Sequence, residues 1–241
     1  MNVQFAIQDG DIYVLEVNPR ASRSVPYVSK AVGIQLAKVA ALVMAGRTLD
    51  QQGVGDPPRP AYFSVKQSVF PFSRFPGADP ILGPEMKSTG EVMGVGTSFA
   101  EAYARAQEGA GVDLKRGGAA LLSLRDPDKE ESVELARMLQ LKGFDLVATH
   151  GTASFLARRG VSCRRINKVR EGRPHIVDLI VNTTEGRASI LESHEIREQA
   201  VRNNVTYFTT LAAADAACRA IDYYGAGAVS RLQDLHEAMA T

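Results

Sequence analysis

Polar side chains suited to phosphate binding follow apolar, β-rich runs in the second half of this 241-residue chain. Thr149 and Thr152 close one such run, Asn182 and Thr184 close another, and two lysines stand beside neighbouring runs. Parallel strands present their carboxyl ends at one edge of a sheet, where ligands bind. Hydroxyl, backbone N–H and ammonium groups meeting there offer a phosphate many donors and compensating charge. The predicted phosphate-binding residues are Lys129, Thr149, Thr152, Lys168, Asn182 and Thr184.

A simpler interpretation of these polar residues stays open. Each Thr or Asn at a strand end can cap the following helix, and for any single Thr that interpretation is favoured. Only the clustering supports a ligand site. The stretch from Arg158 to Arg173 adds a positive rim, with seven basic residues and one acidic residue. No aromatic residue interleaves it, so the stretch is a poor nucleic-acid patch.

A second constellation lies near the amino end, where an Asp-Gly turn predicts a β-hairpin. Residues at even separation on hairpin strands share a face, so Gln4, Glu16 and Asn18 can direct oxygens at one point. Hard cations such as Mg²⁺ bind such oxygens together with substrate phosphates. Arg20 and Arg23 nearby can take the phosphate charge. The alternative is a polar, solvent-exposed hairpin face.

Composition limits the classes of partner. The net charge is +1, which provides no global field for a nucleic acid or an anionic membrane. No apolar run approaches the roughly 20 residues that span a bilayer, so a soluble cytoplasmic protein is expected. The two cysteines lie far apart, which argues against a disulfide framework.

The elements expected to position these residues differ between the two halves of the chain. In residues 1–110 a hairpin, a helix over Val28–Met44 and a strand over Tyr62–Phe70 are too little for an independent fold. In residues 111–241 strands alternate with helices, which predicts an α/β domain with a parallel sheet flanked by helices. The predicted strands are Ala119–Leu124, Asp145–His150, Cys163–Asn167, Leu179–Thr184 and Thr206–Leu211. The predicted helices are Asp128–Leu141, Thr152–Arg159, Ala188–Asn203, Ala212–Tyr223 and Ser230–Met239.

Short motifs spread along the chain point to a known family. They are NVQFA at 2–6, EVNPRASRSVP at 16–26, FPG at 75–77, LGPEMKSTGEVMG at 82–94, THGT at 149–152, NKV at 167–169, EGRPHI at 171–176 and NTT at 182–184. Together they resemble the carboxyl-terminal end of carbamoyl-phosphate synthase large chains. The resemblance implies an incomplete ATP-grasp segment followed by a methylglyoxal-synthase-like regulatory domain, with the boundary between residues 110 and 111.

The resemblance also implies roles for individual residues. In that family an ATP-grasp unit phosphorylates carbamate, and residues matching Gln4, Glu16 and Asn18 hold Mg²⁺ (or Mn²⁺) and the phosphates of ATP. Arg20 and Arg23 match its active-site arginines. The effector pocket binds nucleotides such as UMP or IMP through residues that match the phosphate-binding set above. Tyr207 and Thr209 match positions that bind the activator ornithine.

The function implied is regulation of carbamoyl phosphate formation for pyrimidine and arginine biosynthesis. The partners implied are the rest of the large chain and a glutaminase small chain. Because the chain opens within an ATP-grasp unit, without a lid or an adenine pocket, it is not expected to be catalytic alone. Gln67 stands where many bacterial members have Glu, which weakens the case for ornithine control. The short connection Lys168–Asp178 also departs from the family.

Two alternatives are a free-standing methylglyoxal synthase acting on dihydroxyacetone phosphate and a non-functional truncated product. The synthase chemistry needs a carboxylate base in a Gly-Gly-Asp segment, which the chain lacks. Asp178 is the nearest acidic residue, in a different sequence context.

Overall fold

A computed structural model describes residues 1–56, 59–70, 90–114, 116–166, 177–227, 229 and 231–239. The chain divides into two compact units, Met1–Tyr62 with Ala228–Thr241, and Phe63–Gly227. The strands are β1 (Asn2–Gln8), β2 (Asp11–Asn18), β3 (Phe63–Val69), β4 (Gly90–Gly96), β5 (Gly118–Ser123), β6 (Phe144–Thr149), β7 (Arg164–Ile166), β8 (Leu179–Asn182) and β9 (Thr206–Phe208). The helices are α1 (Ser24–Val32), α2 (Leu36–Met44), α3 (Phe99–Gly109), α4 (Ser132–Leu141), α5 (His150–Arg158), α6 (Gly186–Glu192), α7 (His194–Arg202), α8 (Leu211–Ala220) and α9 (Leu232–Met239).

In the first unit, β1 and β2 form the predicted antiparallel hairpin. Asp9 and Gly10 both have positive φ, 51° and 90°, which matches the twist of a two-residue hairpin turn. The helix predicted over Val28–Met44 is two helices, α1 and α2, because Gly33 takes the left-handed conformation and ends α1. Among the described residues no single helix is long and apolar enough to span a membrane, although the bent pair α1–α2 passes that test together.

The second unit contains the predicted α/β sheet, with strand order β7-β6-β5-β8-β9 and all pairs parallel. Successive residues of β5 face opposite sides. Leu122 packs into the larger core together with residues of α4, α5 and α8, whereas Leu121 packs with Ala200 of α7 on the other face. Both faces are therefore covered, and the predicted fold class is confirmed.

A two-stranded antiparallel sheet, β3–β4, belongs to the same unit and packs against α3. The strand Gly90–Gly96 was not predicted from the sequence, but two of its glycines allow α3 to approach the sheet closely. A Cβ on Gly94 would lie 2.1 Å from the Ala102 carbonyl oxygen, and a Cβ on Gly96 would lie 2.7 Å from the Ala102 nitrogen. Tertiary packing, rather than local propensity, explains this strand.

One further predicted helix is interrupted, and two predicted connecting segments lie largely or wholly outside the described residues. The helix predicted over Ala188–Asn203 is two helices, α6 and α7, separated at Ser193. The connection Lys168–Asp178 and the Pro/Gly-rich stretch from Pro71 lie largely outside the described residues.

Candidate functional site

The predicted phosphate-binding edge is assembled from the ends of β5, β6 and β8. Thr149 ends β6 and Asn182 ends β8, where Asn182 pairs in register with Ser123 of β5. The loop that follows β5 is tied to both neighbours. The Leu124 N–H donates to Thr152 Oγ1 at 3.1 Å, and the Arg125 N–H donates to Thr183 Oγ1 at 3.1 Å.

The threonines at this edge differ in what they bind. Thr152 is 1% exposed and its hydroxyl accepts the loop N–H, so it organises the edge. Thr149 is the N-cap residue of α5 but makes no side-chain cap hydrogen bond. The helix-cap interpretation therefore does not describe Thr149. Thr184 is half-buried and follows β8.

Asn182 is a buried polar residue at this edge without side-chain hydrogen bonds to the described residues. The side chain is 1% exposed, and neither Oδ1 nor Nδ2 has a hydrogen-bond partner among the described residues. A buried amide without partners is costly, so native proteins rarely keep one without a role. The amide therefore fits a ligand at the carboxyl ends of the strands.

Lys129 brings positive charge to the amino end of α5. Its ammonium group lies so near Gly151 that a Cβ there would be 3.2 Å from Nζ. The same Nζ forms an ion pair with Asp126 Oδ1 at 2.5 Å, which lowers the pKa of the Asp126 carboxyl. Arg125 is paired with Asp128 at 2.6 Å and with Glu185 at 3.4 Å. The cations of this loop are thus already matched with exposed or partly exposed carboxylates.

The structure therefore brings Lys129, Thr149, Thr152 and Asn182 to one edge. Lys168 lies outside the described residues. Asp178 lies at the opposite, amino end of the strands, where its Oδ2 accepts the Ala119 N–H at 2.9 Å. A base at Asp178 would therefore not face a phosphate bound at the carboxyl edge.

In the first unit, Gln4, Glu16 and Asn18 do come together. Glu16 Oε1 accepts hydrogen bonds from Gln4 Nε2 at 2.7 Å and Asn18 Nδ2 at 2.8 Å. One carboxylate and two amides are a donor set that suits a hard cation. As arranged, the amides present N–H to Glu16, so a cation would take their oxygens only after both amides rotate.

The two arginines near this cluster are exposed. Arg20 Nη1 donates to the Ala21 carbonyl oxygen at 3.2 Å, and Arg23 is the N-cap residue of α1. Their assignment as active-site arginines stays a prediction.

Tyr207 on β9 lines a cavity of about 420 Å³ in the second unit. Thr209 follows β9 and is exposed. Gln67 of β3 and Gln107 of α3 also line the cavity, and Gln107 Nε2 donates to Gln67 Oε1 at 3.0 Å. Sequence reasoning missed Gln107. The available signal was a polar side chain within the alanine-rich helix Phe99–Gly109.

Comparisons with known proteins agree with this architecture. Residues 131–209 match the MGS-like domain, and residues 1–52 match the ATP binding domain of the carbamoyl-phosphate synthase L chain. The molecule thus combines an MGS-like α/β domain with part of an ATP-binding domain.

Curated relatives that align along almost the whole chain are carbamoyl phosphate synthase large chains. Carbamoyl phosphate synthase large chains from Xanthomonas axonopodis pv. citri, Pseudomonas putida and Pseudomonas aeruginosa are 53%, 54% and 55% identical to this chain. The alignments cover 98–99% of the chain and 23% of each relative. The chain is therefore homologous, along almost its whole length, to the carboxyl-terminal part of carbamoyl phosphate synthase large chains, which confirms the resemblance. It spans about a quarter of the length of these relatives.

Proposed function

We propose that this chain is the regulatory, carboxyl-terminal part of a carbamoyl phosphate synthase and binds UMP or IMP at the edge formed by β5, β6 and β8. The single observation that carries the proposal is the buried amide of Asn182, which lacks a partner among the described residues. The ammonium of Lys129 beside Gly151 supports the same ligand chemistry. A nucleotide phosphate would supply both groups with a charged acceptor.

Phosphate binding at this edge involves an exchange of anions. The first N–H groups of an α-helix have no carbonyl partner within the helix, and Lys129 lies at the amino end of α5. The incoming phosphate replaces Asp126 as the ion-pair partner of Lys129. The Asp126 carboxylate, whose side chain is 90% exposed, is then hydrated by solvent. Thr149 and Thr184 add hydroxyl donors, and Lys168 is a further proposed ligand.

Regulation requires that the nucleotide binds one conformation of the edge better than another. The loop after β5 is the natural element to respond, because it is bonded to both Thr152 and Thr183. In the complete enzyme this response would change ATP-dependent carbamoyl phosphate formation. The proposed partners are the rest of the large chain and the glutaminase small chain, in the cytoplasm.

The first unit is proposed to contribute to the ATP site of the complete enzyme. Glu16, with the amide oxygens of Gln4 and Asn18, would hold Mg²⁺ (or Mn²⁺), which neutralises phosphate charge when bound. Arg20 and Arg23 would orient phosphate oxygens. The cavity beside Tyr207 and Thr209 is proposed as a second effector site.

Calorimetric titration of residues 1–241 with UMP, IMP and uridine tests the proposal. Saturable binding of a monophosphate and no binding of uridine would support a phosphate site. Lys129→Gln should abolish the monophosphate heat, and Lys142→Gln is a control because Lys142 is paired elsewhere, with Asp222. No saturable heat at millimolar UMP or IMP would count against the site.

A further inference from the structure

The chain passes between the two units twice. The first unit comprises Met1–Tyr62 and Ala228–Thr241, so the polypeptide leaves it after Tyr62 and returns to it after Gly227. Two covalent connections therefore join the second unit to the first. A conformational change in the second unit can act on the first unit through both of them.

Side chains that follow or precede these connections bind the same end of α1. Tyr62, the last residue before the first connection, donates its hydroxyl to the Ala31 carbonyl oxygen at 2.9 Å. His236 lies on α9, after the second connection, and its Nε2 is 2.7 Å from the Lys30 carbonyl oxygen. A carbonyl oxygen only accepts, so Nε2 carries the hydrogen in this contact. Two consecutive carbonyls of α1 are thus held by side chains from distant parts of the chain.

These carbonyls need partners because α1 ends beside them. The helix spans Ser24–Val32, and Gly33 takes the left-handed conformation with φ of 73°. The last four carbonyls of an α-helix have no N–H partner within the helix. Tyr62 and His236 supply hydrogen-bond donors to two of the four, and both side chains are half-buried.

The helix that carries His236 has one half-buried face. Leu232, Leu235 and His236 are half-buried, whereas the two residues between the leucines and Glu237 are exposed. Spacings of three and four residues place the half-buried side chains along one stripe of α9. The His236 contact therefore belongs to a helix with a packed face, and it is not an isolated surface hydrogen bond.

The helix α1 connects this end to a residue of the proposed ATP site. Arg23 is its N-cap residue, seven positions before Lys30. At 1.5 Å per residue the two are roughly 10 Å apart along the helix axis. A short, straight helix moves as one rigid element, so a displacement of its carboxyl end also displaces Arg23.

We propose that Tyr62 and His236 couple the second unit to α1, so that nucleotide binding in the second unit repositions Arg23. The inference rests on the proposed function, because it names the route by which the nucleotide signal reaches the first unit. The coupling requires that the free and nucleotide-bound second unit favour different positions of α1. Neither residue belongs to the phosphate-binding edge, so removing either contact weakens the response of α1 and leaves nucleotide binding in place.

Nuclear magnetic resonance of ¹⁵N-labelled residues 1–241 during a UMP titration tests the coupling. The backbone signal of Gly151 reports binding at the edge, and those of Arg23 and Lys30 report the two ends of α1. In the natural sequence all three should shift along one saturation curve. Tyr62→Phe and His236→Leu should each reduce the UMP-dependent shift of Arg23 at least about twofold and change the UMP affinity less than about twofold.

Two further variants separate coupling from general damage. His236→Gln keeps an N–H donor and should retain more of the Arg23 shift than His236→Leu. Tyr13→Phe removes the same hydroxyl from a tyrosine that is 51% exposed on β2, and it should leave the shift unchanged.

The outcomes distinguish this inference from the proposed function. A saturable Gly151 shift without shifts of Arg23 and Lys30 would overturn the coupling and leave the nucleotide site intact. An undiminished Arg23 shift in both Tyr62→Phe and His236→Leu would likewise overturn it, because the two contacts would then only stabilise the end of α1. A Gly151 signal that does not respond to UMP would contradict the proposed function itself, and the coupling with it.

Discussion

Replacing Asn182 by an apolar residue should raise the free energy of unfolding of the chain and lower its affinity for UMP. Asn182 is 1% exposed, and its amide has no hydrogen-bond partner among the described residues. An unsatisfied buried polar group costs about 1–3 kcal/mol, and Val suits a central strand. After allowing for some crowding, we expect Asn182→Val to raise the free energy of unfolding by about 1–2 kcal/mol. For a chain of this size the melting temperature would rise by roughly 2–8 °C.

The same substitution should weaken UMP binding about 10-fold or more, because a hydrogen bond to a charged group contributes about 1.5–3 kcal/mol. Differential scanning calorimetry measures the first effect and calorimetric titration the second. Asn182→Ala removes the amide without crowding. Asn203→Val is the control, because Asn203 is exposed and its Nδ2 already donates to the Gln199 carbonyl oxygen at 2.8 Å. Lower melting temperatures for both Asn182 variants, or unchanged UMP affinity, would refute the reasoning.

Three further predictions concern other parts of the second unit. Asp126→Asn should tighten UMP binding about two- to fivefold in a titration, because the carboxylate no longer competes for Lys129. Gly94→Ala should lower the free energy of unfolding by about 3 kcal/mol in urea denaturation, because its Cβ would lie 2.1 Å from the Ala102 carbonyl oxygen. Burial raises the pKa of both thiols, that of Cys218 to about 11, and Cys218 is buried whereas Cys163 is half-buried. Iodoacetamide at pH 8 should therefore label Cys163 first, and labelling of Cys218 should accelerate as pH rises.

Matched variants show what would contradict these predictions. Asp128→Asn should not tighten UMP binding, since Asp128 pairs with Arg125. An equal gain in both Asp variants would mean that general charge, rather than the Lys129 contact, controls affinity. Gly55→Ala has open space around its Cβ and should be neutral, so equal losses at Gly94 and Gly55 would exclude the packing explanation. Equal labelling rates for the two cysteines would contradict the prediction that burial protects the Cys218 thiol.

The parallel sheet and the proposed phosphate-binding edge were predictable because its central strands β5 and β8 are apolar runs that end in polar residues. Thr149 and Asn182 end β6 and β8. The topology of parallel strands then requires those ends to share an edge. The hairpin was predictable for a similar reason, because Asp9-Gly10 requires a specific turn.

Features that depend on distant contacts were not predictable in this way. The strand Gly90–Gly96 is rich in glycine, and only its contact with Ala102 and Ala106 of α3 explains those glycines. Gln67 and Gln107 are 40 residues apart, and their hydrogen bond depends on how α3 packs against β3. Whether a hydroxyl binds a ligand or the backbone also depends on contacts between distant parts of the chain. The Thr152 hydroxyl, for example, accepts the N–H of Leu124.

Nuclear magnetic resonance of ¹⁵N-labelled residues 1–241 during a UMP titration tests the central claim most directly. If the nucleotide phosphate binds at the carboxyl edge of the sheet, the side-chain amide signals of Asn182 and the backbone signal of Gly151 will shift saturably, while Ala119 at the opposite edge will not. Shifts confined to Ala119 and its neighbours, or unchanged Asn182 signals at saturating UMP, would contradict it.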